Sequence, residues 1–202
     1  MHPAGVFKDQ DAERLAALIA ERGLALIVAG ETKLVAAHAP VLLAGGRLRF
    51  HLAAQNPLCA VIASTGHALA VVTGPDAYVS PDWYAAADQV PTWNYVSAEI
   101  QGPTRTLDRD GARRLLDELA AHFEAALAPK PPWTRAKMQP ARFEAMLDAI
   151  IGFEMTVERL EGVAKLSQNK PADERARVAA AMAERDDAGS RRTAELMLRL
   201  PE

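Results

Sequence analysis

Lys165, Ser167, Gln168 and Asn169 put an ammonium, a hydroxyl and two carboxamides into one short stretch, Lys165-Leu166-Ser167-Gln168-Asn169-Lys170-Pro171. That set of donors suits a phosphate, which is held by cationic side chains, hydroxyls and backbone N–H groups. Two more polar clusters interrupt apolar runs. One is Ala37-His38-Ala39-Pro40, inside a strand-like segment. The other is His51-Leu52-Ala53-Ala54-Gln55-Asn56-Pro57, where a strand runs into a helix start. Asn56 before Pro57 reads as an N-cap and first helical residue, so free backbone N–H groups are expected there. A fourth cluster is aromatic, Gly74 to Tyr84 followed by Pro91-Thr92-Trp93-Asn94-Tyr95.

A flavin nucleotide needs both kinds of cluster. Its phosphate takes the polar groups, and its ring takes a flat apolar wall with a few donors aimed at its nitrogens and oxygens. Trp93 and Tyr95 supply such a wall. Each cluster also has a plainer reading. Lys165–Pro171 also reads as only a loop that caps a helix near Pro171, with Asn169 as the cap. His38 on an apolar strand reads as a hydrogen-bonded core or interface histidine. Trp93 and Tyr95, at i and i+2, lie on one strand face and read as core. Asp76 and Asp82 beside prolines are ordinary turn formers.

Other chemistries lack their motifs. The chain has no Gly-x-Gly-x-x-Gly and no Gly-x-x-x-x-Gly-Lys-Ser/Thr, which argues against Rossmann and P-loop nucleotide sites. It has no Gly-x-Ser-x-Gly elbow. His2, His38, His51, His67 and His122 are scattered, without the spacing of a zinc site. No metal is expected. Cys59 sits among Leu58, Val61 and Ile62 and reads as a buried structural thiol.

The elements that would carry these clusters follow from periodicity. A short amphipathic helix is expected over Asp9–Arg22, ended by Gly23. Strands are expected over Leu24–Ala29, Leu34–Leu43 and Arg47–Leu52, with Gly45-Gly46 as a hairpin turn. Asn56–Ser64 predicts a helix, and Ala68–Thr73 a strand ended by Gly74-Pro75. Thr92–Leu107 predicts one bent strand or two. Asp108–Ala128 is helical, with Leu115, Leu116, Leu119 and Phe123 at helical spacing. Pro140–Ile151 predicts a helix and Gly152–Leu160 a last strand. Asp173–Arg185 and Ser190–Leu200 predict terminal helices. Five or six strands without regular strand–helix alternation favour an antiparallel α+β barrel over a doubly wound sheet.

Composition narrows the setting. The 202 residues are half hydrophobic, and the formal net charge is −3. That charge argues against strong nonspecific DNA binding, which rests on clustered Lys and Arg. Residues 165–202 carry eight Lys/Arg against seven Asp/Glu, a mixed segment and not a basic arm. A single cysteine allows no intrachain disulfide, which favours a reducing compartment. No apolar run is long enough to span a bilayer, and the first residues lack the core of a secretory signal. A cytoplasmic protein is expected.

Taken in order, the clusters resemble the PaiB family of FMN-binding negative transcriptional regulators of protease synthase and sporulation. The matching stretches are Ala37 to Leu43, His51 to Pro57, Gly74-Pro75-Asp76-Ala77-Tyr78-Val79-Ser80-Pro81-Asp82-Trp83-Tyr84, Val90 to Tyr95, Ile151-Gly152-Phe153-Glu154, and Glu158 to Gly162 running on to Lys165-Leu166-Ser167-Gln168-Asn169. The likeness extends from Met1 to about Met182. It implies an FMN-binding split β-barrel, mainly β with added helices, shared with pyridoxamine-phosphate oxidases and small flavin reductases. It also implies a homodimer with flavin clefts between the subunits. The expected organisation is a barrel domain over 1–170 and a C-terminal helical extension over 171–202.

Within that resemblance, the phosphate is expected near Lys165, Ser167, Gln168 and Asn169, with His38, His51 and Asn56 nearby. Trp93 and Asn94 are expected beside the ring or the dimer seam. One position departs from the family. Ala54 stands where the family usually has a basic residue. Losing a direct charged hydrogen bond there weakens the contact by about 1.5–3 kcal/mol. FMN is therefore the expected cofactor, with its hold reduced or lost at that position. Three functions compete: an FMN-binding regulator, a flavin-dependent oxidoreductase or flavin reductase, and a dimeric interaction module that has lost its flavin. DNA contact would fall to Arg175, Arg177, Arg185, Arg191 and Arg192, which acidic neighbours dilute.

Overall fold

Alternation of apolar and polar side chains sets the strands, as in Arg47–Ala53, where Leu48, Phe50 and Leu52 are buried and the residues between them are not. The computed structural model describes residues 2–200. Met1, where the expected barrel domain begins, and Pro201 and Glu202, where the expected extension ends, lie outside the described residues. The described residues form two compact units, 19–72 with 99–160, and 2–18 with 73–98 and 161–200.

The larger unit holds β2 (Leu24–Ala29), β3 (Val35–Ala44), β4 (Arg47–Ala53) and β7 (Ile150–Thr156), with the first half of β5 (His67–Val79) and the last half of β6 (Thr92–Thr106). The pairings of β2 with β3 and β5, of β4 with β3 and β7, and of β6 with β7 are antiparallel. Leu26 faces His38 and Val71, Leu48 faces Leu43 and Met155, and Arg105 faces Glu154. The strand order runs β5-β2-β3-β4-β7-β6. Thr104 N–H donates to Gly66 O at 2.8 Å, tying the end of β6 to the head of β5. The sheet thus returns on itself as a barrel, which leaves no long unpaired edge. Phe50 and Phe153 are register partners whose rings stack at 5.3 Å inside it. Such a pair contributes about 0.5–1.5 kcal/mol beyond its burial.

Three helices attach to this unit. In α2 (Pro57–Thr65) the Asn56 side chain accepts from Leu58 N–H, and Gly66 ends the helix at φ 64°. In α3 (Arg109–Ala125) the Asp108 carboxylate accepts from Gly111 N–H. Ala112 of α3 packs with Phe143 and Leu147 of α4 (Pro140–Leu147).

In the smaller unit β1 (Lys8–Asp9) pairs with β8 (Arg159–Lys165), and the order is β1-β8-β6-β5. The first turns of α1 (Ala12–Arg22) lie beside it. A Cβ at Gly162 would come within 2.3 Å of Leu15 Cδ2 and 3.1 Å of Ser97 O, so glycine eases the passage of β8 there. Helices α5 (Ala172–Ala183) and α6 (Ala188–Leu198) bury Val178, Ala179, Met182, Ala194 and Met197 against Ala77, Val79 and Leu166.

Two expectations about the strands are corrected. Gly74-Pro75 does not end β5, which continues to Val79. A Cβ at Gly74 would stand 2.3 Å from Val96 Cγ2, so this glycine serves close strand approach and not a turn. The expected last strand, Gly152–Leu160, is split between two strands, β7 and β8, which pair with different neighbours. Its corner, Val157 and Glu158, needs no Gly or Pro because Val157 N–H donates to Gly46 O and Glu158 N–H to Gln101 O. Thr92–Leu107 resolves into one strand, and the described residues hold eight strands in place of five or six. No described helix is long and apolar enough to cross a membrane.

Candidate functional site

Alternation along β6 puts Thr92 and Asn94 on one face and Trp93 on the other. Thr92 and Asn94 line a cleft of about 200 Å³ in the smaller unit. Lys165 enters it from the end of β8, and Ser167, Asn169 and Lys170 from the turn that follows. Tyr84 and Gln89 close it from the segment after β5.

The cleft is wired by short bonds. Lys165 Nζ donates to Thr92 Oγ1 at 2.6 Å. Asn94 Nδ2 donates to Ser167 Oγ at 2.9 Å, and Tyr84 OH lies 3.5 Å from the same hydroxyl. Ser167 has φ 61°, a left-handed conformation a serine seldom takes, and it is buried. Lys170 Nζ donates to Gln89 Oε1 at 2.6 Å and stands 5.4 Å from the centre of the Tyr84 ring. Both ammoniums are therefore answered by neutral groups. Neither forms an ion pair with a carboxylate among the described residues. Two half-buried cations, a hydroxyl and a carboxamide converge on one cleft, the kind of donor set that an anion takes.

Two neighbours in the same turn do other work. Gln168 Oε1 accepts from Leu166 N–H, and its Nε2 donates to the carbonyls of Val6 and Ala164, so its amide braces backbone. Asn169 lines the cleft and does not cap α5. Pro171 holds the cap position, without a side-chain cap bond. Trp93 is 54% exposed, edge-to-face with the half-exposed Tyr78 at 6.1 Å, so the core reading of this aromatic does not hold.

His38, His51 and Asn56 belong to the larger unit. His38 is exposed on β3. His51 lies on β4 opposite Gly152, and its Nδ1 is buried without a partner. Burial lowers its pKa, which keeps the ring neutral at pH 7. The Asn56 carboxamide is committed to Leu58 N–H at 3.0 Å. Ala54 is exposed at the end of β4, its N–H bonded to Ala149 O. Thr92, Tyr84, Gln89 and Lys170 were not singled out from the sequence. Thr92 was readable as the same-face neighbour of Asn94, whereas nothing in the sequence ties Gln89 to Lys170. No group of three or more His, Cys, Asp or Glu among the described residues could hold a metal ion.

The family model described as "Putative FMN-binding domain" matches residues 1–159. The protease synthase and sporulation protein PAI 2 of Bacillus subtilis (strain 168) is 28% identical over 196 residues, covering 95% of this chain and 93% of that protein. Residues 165–170 lie beyond the family model but inside the span of that chain-length similarity. Among solved structures, the FAD and heme binding protein from Mycobacterium smegmatis superposes with a TM-score of 0.60 at 22% identity, covering 83% of this chain and 78% of that one. The flavocytochrome Anf3 from Azotobacter vinelandii gives a TM-score of 0.62 at 13% identity, covering 81% and 72%. These two similarities show a shared split-barrel fold.

Proposed function

This chain belongs to the FMN-binding family of PaiB type, and we propose that it is an FMN-binding protein that takes the flavin phosphate in the cleft of Lys165, Ser167 and Lys170. The observation that carries this reading is the pair of ammoniums with neutral partners only. A phosphate brought there meets two cations without first breaking an ion pair. A second observation fits a bound group. His51 Nδ1, a buried polar atom without a partner, has hydrogen-bonding capacity left for a ligand or a second chain.

Bound flavin would supply the redox chemistry, which is the cofactor's own. The residues of the chain bind and orient it. Lys165 and Lys170 neutralise the phosphate, Ser167 and Asn94 fix the site's shape, and Trp93 offers an exposed ring face. The reading includes a homodimer with flavin between subunits, a PaiB-type role as a negative transcriptional regulator, a cytoplasmic setting, and residues 171–202 as a C-terminal extension of a 1–170 barrel domain. The regulatory role rests on the family resemblance alone. A flavin reductase activity is the competing reading, favoured by the fold shared with a flavocytochrome.

The test is an absorbance spectrum after incubation with excess FMN and desalting, run on wild type and Lys165→Ala. Flavin bands retained by wild type and lost from the variant support the phosphate assignment. Equal retention by both removes Lys165 from the site. Absence of flavin from wild type overturns the FMN reading.

A further inference from the structure

A second cleft lies in the larger unit, about 460 Å³ in volume, and none of the nine candidate flavin residues lines it. Its walls carry three guanidiniums: Arg49 from β4, Arg105 from β6 and Arg114 from α3. Of its lining residues only Leu107 has a large apolar side chain. Such a lining does not suit an aromatic ring, which seeks apolar walls.

The charges in the cleft are unequally matched. Glu154 accepts from Arg105 at 2.7 Å and also from Arg47 at 3.2 Å, so one carboxylate serves two guanidiniums. Arg49 is only 18% exposed and pairs with Glu118, which leaves most of its N–H donors unspent. Asp108 is occupied as the cap of α3, accepting from Gly111 N–H at 2.7 Å. Arg114 has no hydrogen-bond or ion-pair partner among the described residues, and it is exposed. The cleft thus holds one unpaired guanidinium, that of Arg114, beside two whose N–H donors are only partly spent.

We propose that this cleft is a binding site for a compact phosphate-type anion, a phosphomonoester or inorganic phosphate, held by Arg114 with Arg105 and Arg49. Guanidinium forks match the paired oxygens of phosphate bidentately. The compactness follows from the surroundings. Asp108 and Glu154 line the cleft and Glu118 pairs with Arg49, so carboxylates beside the arginines oppose an extended polyanion more than a single phosphate group. The site is independent of the flavin reading, because its residues and those of the Lys165 cleft do not overlap.

The experiment is a calorimetric titration of the full chain with inorganic phosphate in low-salt buffer. Arg114→Gln is the test variant. Arg142→Gln, at an exposed arginine of α4 outside the cleft, is the control of equal charge. Wild type and the control, both titrated in excess FMN so that the Lys165 cleft is occupied, are expected to saturate at one phosphate per chain. Arg114→Gln is expected to weaken binding by about tenfold or more, the size of one charge-assisted hydrogen bond. FMN retention should be unchanged in that variant, which separates this site from the flavin cleft. Arg114→Lys, which keeps the charge and loses the fork, should fall between. Absence of saturable binding, or equal weakening by both glutamine variants, overturns the proposal. So does salt-sensitive binding of a DNA duplex that Arg114→Gln abolishes while phosphate alone fails to bind, since that assigns the arginines to nucleic acid.

Discussion

Asn94 Nδ2 donates to Ser167 Oγ at 2.9 Å, and the two residues, 73 positions apart in the chain, are both buried. The bond ties β6 to the turn after β8 and holds a serine at φ 61°. Its removal leaves the Ser167 hydroxyl with Tyr84 OH at 3.5 Å as its other side-chain partner.

Replacing Asn94 with Leu should therefore cost about 1–3 kcal/mol, the penalty of a buried polar group left without its partner. In a chain of this size that lowers Tm by about 2–4 °C for each kcal/mol. Ser167→Ala should cost more than Ser167→Gly, because glycine accepts the left-handed backbone without strain. Thermal denaturation followed by circular dichroism separates the three. Equal melting of the alanine and glycine variants would mean that the backbone conformation contributes nothing.

Ala54 gives a gain-of-function prediction. It is exposed, in the segment that leads into α2, where the family resemblance expects a basic side chain. The first turn of α2 holds no acidic residue that would oppose an anion. Ala54→Arg should tighten FMN by about tenfold to a hundredfold, one charged hydrogen bond of about 1.5–3 kcal/mol. Fluorescence quenching of FMN on titration reads the change. An unaltered Kd would show that position 54 does not face the phosphate.

Most of the frame was legible because local signals agreed with it. Asn56-Pro57 and Gly66 bracket α2, Gly45-Gly46 turns β3 into β4, and the Leu48, Phe50, Leu52 alternation marks the barrel interior. The misses have physical causes. Gly74 looked like a turn because the proximity of Val96 is a tertiary fact. The β7–β8 corner was invisible because its donors are satisfied by Gly46 and Gln101, far away in sequence. The Lys165–Lys170 string was readable as anion-binding chemistry. That Gln168 braces backbone while Lys170 enters the cleft depends on side-chain directions no spacing rule gives.

His51 should make stability depend on pH. Burial lowers its pKa below the usual 6.5, so the unfolded chain takes up a proton where the native chain does not. Stability then falls as pH drops below about 6.5, until the native ring also titrates. His51→Gln removes this contribution. Melting curves between pH 8 and pH 5 should show wild type losing ground against the variant as pH falls. Parallel curves would place the ring in water. Saturating FMN should change the His51 titration seen by NMR if the orphaned Nδ1 serves the ligand.

Asp187 makes the opposite prediction at the acidic end. It caps α6, accepting from Ser190 N–H at 2.7 Å. That backbone bond, with the Ser190 hydroxyl and Arg185 beside it, lowers its pKa to about 2 from an ordinary 3.8. A depressed carboxylate contributes stability that is fully present above its unfolded pKa and lost as pH falls through the folded value. Asp187→Ala should therefore melt below wild type at neutral pH, and by the same margin down to about pH 4. Between there and about pH 2 the wild-type advantage should close, because the carboxylate that made it is protonated. Asp187→Asn keeps a cap acceptor without charge, and should recover part of the loss at pH 7 with no acid-dependent change of its own. Helix α6 buries Ala194 and Met197 against Val79 and Leu166, so a frayed cap also loosens that core. Amide exchange at Arg191, whose N–H donates to Asp187 O, reports the fraying directly. Exchange there as slow in Asp187→Ala as in wild type would show that packing alone holds the helix end.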